Sequence, residues 1–399
     1  MSAAHNEATD SNVAIIGAGL AGLALAIALR NSGIDGIALF DQQASPSQVA
    51  APASPVMLAP NATRVLRALG LRSQLDKIAY APRSVQQRSG TSGFLMSELP
   101  LGDLAQNRYG APYLVADYTA LRSALRAQAE HLGVRVEYAR TCVGRDQQRA
   151  VFSDASSHGA RLLVAADGAL SRVRDMMAFP TREWAYGHRA IVTTVQVEHS
   201  HRDTCWQRFL TSGPLAFLPL PGEDGRHYCS IVWSLREELV DDLLALEDQA
   251  FCDALEQAIE ARLGKVMQCA PRFAFPLRQR HAIDYVQAGV ALVGDAAHTI
   301  HPLAGQGINL GLQDVAVLAE EVLAGHAKGV DPGQLALLGR YQRRRKGENL
   351  LMMAAMDGFK ALFEQQALPV RWLRNAGMRG VNQIGPLKQQ LIRRAMGVG

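Results

Sequence analysis

The chain has 399 residues, 48% of them hydrophobic and 20% charged, with a formal net charge of +4. A chain of that length buries a large core and suggests two or three structural regions of an ordinary globular protein. Its five cysteines (Cys142, Cys205, Cys229, Cys252 and Cys269) are scattered, odd in number and without a C-x-x-C pair. This excludes a disulfide framework and a cysteine zinc site, and points to a reducing, cytoplasmic compartment.

Residues 12–16 read as a strand, followed by a glycine turn, a helix over about 20–31, a strand over 36–40 and then Asp41. Within this opening, residues 13–29 form a 17-residue uncharged stretch. Glu7 and Asp10 precede it instead of Lys or Arg, and three glycines break its first half, so neither a signal core nor a membrane span is expected. Those glycines, Gly17, Gly19 and Gly22, form G-x-G-x-x-G between strand and helix. Gly17 permits the tight turn, Gly19 admits a pyrophosphate to the backbone, and Gly22 lets helix and strand pack closely. Asp41, 19 residues beyond Gly22, is placed to accept hydrogen bonds from a ribose. An acid there favours FAD or NAD over NADP.

The next segment, QQASPSQVAAPASP (42–55), reads as a loop. PNATRVLRALG and DYTALRSALRAQAEHLG read as helices, the second followed by a strand, VRVEY. In LLVAADGALSRVR (162–174) an apolar strand delivers Asp167 and Gly168 to a turn, with Ser171, Arg172 and Arg174 opening a helix. This is either a second cofactor contact or a plain turn. From about Ala190 to Pro276 the pattern alternates (IVTTVQV, PLAFLPL, HYCSIVWS), with one long helix inserted, and predicts a separate antiparallel sheet.

At GDAAHTIHPLAGQG (294–307) a strand leads through a loop into a helix. His298 and His301 suggest a metal, but the surrounding pattern favours a cofactor cradle, with Asp295 at the strand exit and Gly305 and Gly307 at the helix opening. Asp295 is ready to bond a polyol chain, and the loop from Pro302 onward to cover a ring system. FAD has a polyol between ring and phosphates and NAD does not, so the three segments together indicate FAD, with no metal. The predicted fold class is α/β. A discontinuous Rossmann-like FAD domain (1–80, 111–185, 286–330) carries an antiparallel-sheet substrate domain (81–110, 186–285), and a helical region (331–399) follows. Residues 340–399 hold 12 Lys and Arg against 3 Asp and Glu, or +9, leaving 29 against 34, or −5, elsewhere. That basic end suits an anionic membrane surface or an acidic partner, and equally a solvated helical face. No stacking platform accompanies it, so nucleic acid is not expected.

The order G-x-G-x-x-G, ADGxxSxVR and GDAAHxxxPxxGQG resembles the p-hydroxybenzoate-hydroxylase type of flavoprotein monooxygenase. More narrowly, WQRFLTSGPLAFLPL, CSIVWS, HPLAGQGINLGLQD and YQRRRKGENLLMMAAMDGFKALF resemble the ubiquinone-biosynthesis FAD-dependent aromatic-ring hydroxylases. The resemblance implies that Asp295 and the Pro302–Asn309 loop (Pro302, Gly305, Gln306, Gly307, Asn309) contact the flavin, with Asp167 near it. It implies a flavin hydroperoxide that hydroxylates a polyprenylated phenol, using O2 and NAD(P)H, at the inner face of a membrane or among other ubiquinone-biosynthesis proteins. Relatives usually carry an Arg where this chain has Ser54, and a Glu where it has Asp41. No catalytic base is assigned. His298 and His301 are candidates for proton traffic or backbone anchors. Gln207, Phe209 and Pro219 roof the substrate or fill the core, and Met352, Met353 and Met356 line a core or a groove. A flavin-dependent reductase of an isoprenoid lipid and a non-catalytic flavin-fold subunit remain as alternative readings.

Overall fold

The computed structural model describes residues 11–45, 55–90, 93–102, 105, 110–222, 225–299 and 306–364. Ser54, His301, Pro302 and Gly305 lie outside the described residues, as do the side chains of Gln306 and Met356.

A parallel sheet forms the centre of the first layer. Ser11–Ile16 sits between Ser157–Ala165 and Ile37–Phe40, flanked further out by Val290–Leu292 and Val136–Glu137. Val13, Ala14 and Ile15 are all fully buried, so the strand reads as an apolar run without alternation because both sheet faces are covered. The Leu20–Asn31 helix buries residues around most of its circumference, and the Tyr118–His131 and Gln306–His326 helices pack against it. Asp117 caps the Tyr118–His131 helix, its carboxylate accepting from the Ala120 amide at 2.9 Å.

The second layer is a nine-stranded sheet. Its order runs His298–Thr299, Phe273–Ala282, Thr181–Val197, His227–Arg236, Gly213–Leu220, Thr204–Leu210, Ser84–Ser89 and Leu95–Pro100, with Val266–Cys269 added beside Thr181–Val197. The sheet is wider than the alternation over 190–276 suggests. Ser84–Ser89 (SVQQRS) carries little strand propensity, and its parallel pairing with Thr204–Leu210 supplies the order that local sequence does not. Phe251 and Leu255 of the Asp248–Ala258 helix cover one face, packing with Ile191, Phe217, Ile231 and Trp233. The other face carries Val85, Cys205 and Leu218 against Val115, and so meets the small Pro55–Leu58, Leu114–Asp117, Ala79–Tyr80 sheet.

The stretch after Val290–Leu292 is more than the expected loop. A helical turn at Gly294–Ala296 is followed by His298–Thr299, which pairs with Phe273–Ala282 of the nine-stranded sheet. Gly294, with φ of +59°, permits the reversal. One short segment therefore passes from the parallel sheet to the antiparallel one. The last described element is the Leu335–Glu364 helix, and among the described residues no helix is long and apolar enough to cross a membrane.

Candidate functional site

The glycine turn is shaped by backbone proximity. Gly17 has φ of +107°, and an added Cβ would lie 2.4 Å from the Ala166 carbonyl oxygen. At Gly22 an added Cβ would lie 1.9 Å from the Gly17 oxygen, so this glycine serves the contact between helix and turn from behind the cavity wall. Gly19 stands where the Leu20–Asn31 helix begins, with no side-chain cap and no acid in the first turn. The unsatisfied amides and positive end of that helix make a seat for a phosphate anion.

Asp41 ends the Ile37–Phe40 strand. Its Oδ2 accepts the Ala18 amide at 2.8 Å and its Oδ1 the Gln43 amide at 2.8 Å, so the carboxylate also ties the glycine turn to the loop beyond the strand. Beside it stands a residue that the sequence reading passed over. Arg122 donates from Nε to the Ala18 oxygen at 2.8 Å and from Nη2 to Gln43 Oε1 at 2.9 Å, and lies 3.5 Å from Asp41 Oδ2. The available signal was an arginine set among the buried positions Leu121, Leu125 and Ala129 of an amphipathic helix.

Asp167 accepts the Ser171 hydroxyl at 2.5 Å and the amides of Arg172 and Val173 at 2.9 and 3.2 Å. It thus holds the start of the Arg172–Met176 helix while facing the cavity. Burial raises its carboxyl above the ordinary value despite these bonds. Asp295 is also raised, chiefly by burial and further by the negative charge of Asp314, against a lowering pull from His298. Its side chain remains solvent-exposed where it lines the cavity. Gly307 lies opposite, where an added Cβ would come within 3.6 Å of Asp295 Oδ1.

His298 is fully buried and its Nε2 lies 2.5 Å from Asp314 Oδ2, so this imidazole belongs to a buried pair. Among the described residues, no three His, Cys, Asp or Glu side chains gather at metal-binding range. Asn309 is fully buried, accepting the Ala59 amide at 2.8 Å and donating to the Met57 oxygen at 2.9 Å. Those bonds fix the start of the Gln306–His326 helix to the Pro55–Leu58 strand, and Asn309 is not among the cavity's lining residues. Gln207 and Phe209 share the sheet face of Ala216, whereas Pro219 pairs with Cys229 on the opposite, helix-covered face. Met353 packs against Leu310 and Met352.

Gly17, Gly19, Asp41, Arg122, Asp167, Asp295 and Gly307 line one partly open cavity, with about 1090 Å³ of space among its lining residues when the solvent at its opening is included. An uncapped helix start for a pyrophosphate, an acid at the second strand's tip and a further acid beside bare glycine backbone fit FAD along its length.

The parallel sheet, the glycine turn and this cavity define an α/β dinucleotide-binding flavoprotein. The chain belongs to the FAD binding domain family, which it matches over residues 10–354, and FAD is its cofactor. It is 37% identical to the ubiquinone hydroxylase UbiL of Rhodospirillum rubrum, over 97% of this chain and 90% of the relative. It is 39% identical to the 3-demethoxyubiquinol 3-hydroxylase of Escherichia coli, over 60% of each chain. Among solved structures, PqsL of P. aeruginosa superposes with a TM-score of 0.77 at 20% identity, covering 93% of this chain and all of that one, and so shares the fold. Klebsiella pneumoniae HpxO, solved with FAD, gives 0.76 at 19% identity, over 97% and 99% of the two chains.

Proposed function

We propose that this chain is an FAD-dependent monooxygenase that hydroxylates the aromatic ring of a polyprenylated phenol in ubiquinone biosynthesis, with O2 and NAD(P)H as co-substrates. The observation that carries the reading is the meeting of three distant acids, Asp41, Asp167 and Asp295, at one cavity beside an uncapped helix start. The 37% identity to a ubiquinone hydroxylase over nearly the whole chain supports the substrate class. Bound FAD supplies the oxygen chemistry, as cofactors do where side chains cannot.

The chain's own residues bind, orient and exclude water. In this reading Gly17, Gly19 and the start of the Leu20–Asn31 helix hold the pyrophosphate, Gly22 lets that helix sit close, and Asp41 takes the ribose hydroxyls. Asp167 flanks the cofactor, and Asp295 takes the polyol hydroxyls beside Gly307. The family resemblance adds Pro302, Gly305 and Gln306 as flavin contacts, while Asn309 serves from behind by fixing the start of the Gln306–His326 helix to the Pro55–Leu58 strand. The positive end of the Gln306–His326 helix favours negative charge nearby by about 0.3–1 kcal/mol. Gln207 and Phe209, on the sheet face away from the Asp248–Ala258 helix, are offered to the aromatic ring.

The same reading divides the chain into a discontinuous FAD domain (1–80, 111–185, 286–330), a substrate domain (81–110, 186–285) and a C-terminal helical region (331–399); the membership of the two main sheets supports this except at residues 181–185 and His298–Thr299, which pair in the nine-stranded sheet. The excess of positive charge in residues 340–399 suits docking at an anionic membrane surface or on other proteins of the pathway.

The test is turnover by FAD-loaded protein. A prenylated phenol is expected to stimulate NAD(P)H oxidation with matching O2 uptake and a hydroxylated product by mass spectrometry. Full-rate anaerobic turnover would instead identify a reductase. FAD uptake without any substrate-stimulated O2 use would reject the monooxygenase reading.

A further inference from the structure

Asp314, in the Gln306–His326 helix, is fully buried, and four groups converge on its carboxylate. Oδ2 accepts the Gly294 amide at 3.1 Å and lies 2.5 Å from His298 Nε2. Oδ1 accepts Arg345 Nε at 2.8 Å and Asn349 Nδ2 at 3.3 Å. Arg345 is itself 1% exposed, also donates to the Asn349 amide oxygen at 2.9 Å and pairs with Glu348. Asn349 in turn donates to the Tyr285 hydroxyl at 3.2 Å.

We propose that Asp314 is a positioning residue for the flavin site: it grips both ends of the 294–298 segment and so fixes Asp295, while Arg345 and Asn349 of the C-terminal helix fix Asp314. The inference rests on the FAD site proposed above. Gly294 leaves the parallel sheet and His298 joins the nine-stranded sheet, and one carboxylate holds the two. Asp295 projects from between those anchors toward Gly307 at the start of the helix that carries Asp314. A buried ion pair contributes little net stability compared with apolar packing of the same shape. What an apolar cluster cannot supply is a fixed distance between a backbone amide, an imidazole and a helix. Burial works to raise the Asp314 carboxyl, yet His298 and Arg345 outweigh it and hold the group below the ordinary carboxylate range, so the grip is ionic at neutral pH. The Leu335–Glu364 helix thereby becomes part of the cofactor site without lining it.

The test compares full-length Asp314→Asn, Asn349→Ala and a remote core variant, Leu255→Ala, with the unaltered protein. FAD affinity is read by flavin fluorescence, the visible spectrum on the reconstituted holoprotein, and Tm on the apoprotein. Asp314→Asn is expected to bind FAD about tenfold or more weakly, with a displaced flavin absorption band, and Asn349→Ala about threefold more weakly. Leu255→Ala is expected to lower Tm with affinity and spectrum unchanged. Wild-type affinity and spectrum in Asp314→Asn would overturn the proposal whatever its Tm. If that variant does not fold, wild-type affinity and spectrum in Asn349→Ala would overturn it. Failure of the unaltered protein to take up FAD would sink the functional reading and not this inference alone.

Discussion

An added Cβ on Gly22 would lie 1.9 Å from the Gly17 carbonyl oxygen, whereas one on Gly19 would meet nothing nearer than the Tyr118 hydroxyl at 3.7 Å. Two glycines of one motif therefore fail differently when replaced. Gly22→Ala forces the helix off the turn and is expected to lower apoprotein stability by about 1–3 kcal/mol, the usual range for overpacking. Gly19→Ala leaves the apoprotein fold within about 1 kcal/mol, the scale of a helix-start substitution. Its methyl group intrudes on the phosphate seat, and FAD binding weakens about tenfold or more. Thermal unfolding of apoprotein beside FAD titration separates the two, and wild-type FAD affinity in Gly19→Ala would show that the phosphate sits elsewhere.

Asp295 sets stability against function. Its carboxyl is raised in the folded chain, chiefly by burial. A raised folded value means that the group's favourable contribution is fully present below the unfolded pKa, about 3.9, and is lost as pH rises through the folded value. At neutral pH the ionised side chain therefore destabilises the apoprotein, though only modestly, because its exposed face is screened by solvent. Asp295→Asn is expected to raise apoprotein Tm at pH 7, with the gain shrinking toward pH 4, while FAD affinity falls because the carboxylate no longer accepts from the polyol. A lower Tm at pH 7 in the variant would contradict the sign.

These cases show what the sequence made legible. The glycine turn is local chemistry, with spacing, strand and helix all within 30 positions, and Asp41 and Asp295 stand at strand exits where parallel sheets gather ligands. Long-range pairs were not legible. Asp314 reads as one polar position in an apolar helix, and its role emerges only because Arg345, Gly294 and His298 arrive from three other elements. Ser84–Ser89 becomes a strand because Thr204–Leu210 lies alongside it. From sequence His298 reads as a proton carrier or a backbone anchor, and its actual partner, the carboxylate 16 positions onward, shows only once the fold places Asp314 beside it.

His281 gives the folded protein an acid-sensitive limb. It is 5% exposed, its Nδ1 lies 3.4 Å from the Tyr285 hydroxyl, and it stands opposite His298 in the sheet register. Burial first, then the neighbouring positive charges of His298, Lys346 and Arg182, push its pKa down to about 4. Because the folded value lies below the unfolded one, about 6.5, the unfolded chain takes up the proton first as pH falls. Stability is then lost between those two values, by an amount on the order of 2–3 kcal/mol. His281→Gln is expected to flatten the dependence of Tm on pH between about 6.5 and 4, and an unchanged slope would remove His281 as its source.

Arg122, with Tyr118, carries the contact of the Tyr118–His131 helix with the cofactor turn. It holds the Ala18 oxygen and the Gln43 side chain at once and lies beside Asp41, with Asp41 in turn bonded to the amides of Ala18 and Gln43. The four residues form a closed ring at the edge of the cavity, so removing the guanidinium leaves the Ala18 oxygen unpaired and frees Gln43. A buried partner lost in this way costs about 1–3 kcal/mol. Arg122→Met keeps the aliphatic stem in its apolar surroundings and is expected to weaken FAD binding by about tenfold, since the same contacts orient the carboxylate that takes the ribose. Arg122→Lys keeps the charge but cannot bridge both acceptors with the planar fork, and is expected to recover less than half of the lost binding energy. Equal FAD affinity in wild type and Arg122→Met, measured by fluorescence titration at fixed ionic strength, would show that the ring is packing for the helix and not part of the dinucleotide site.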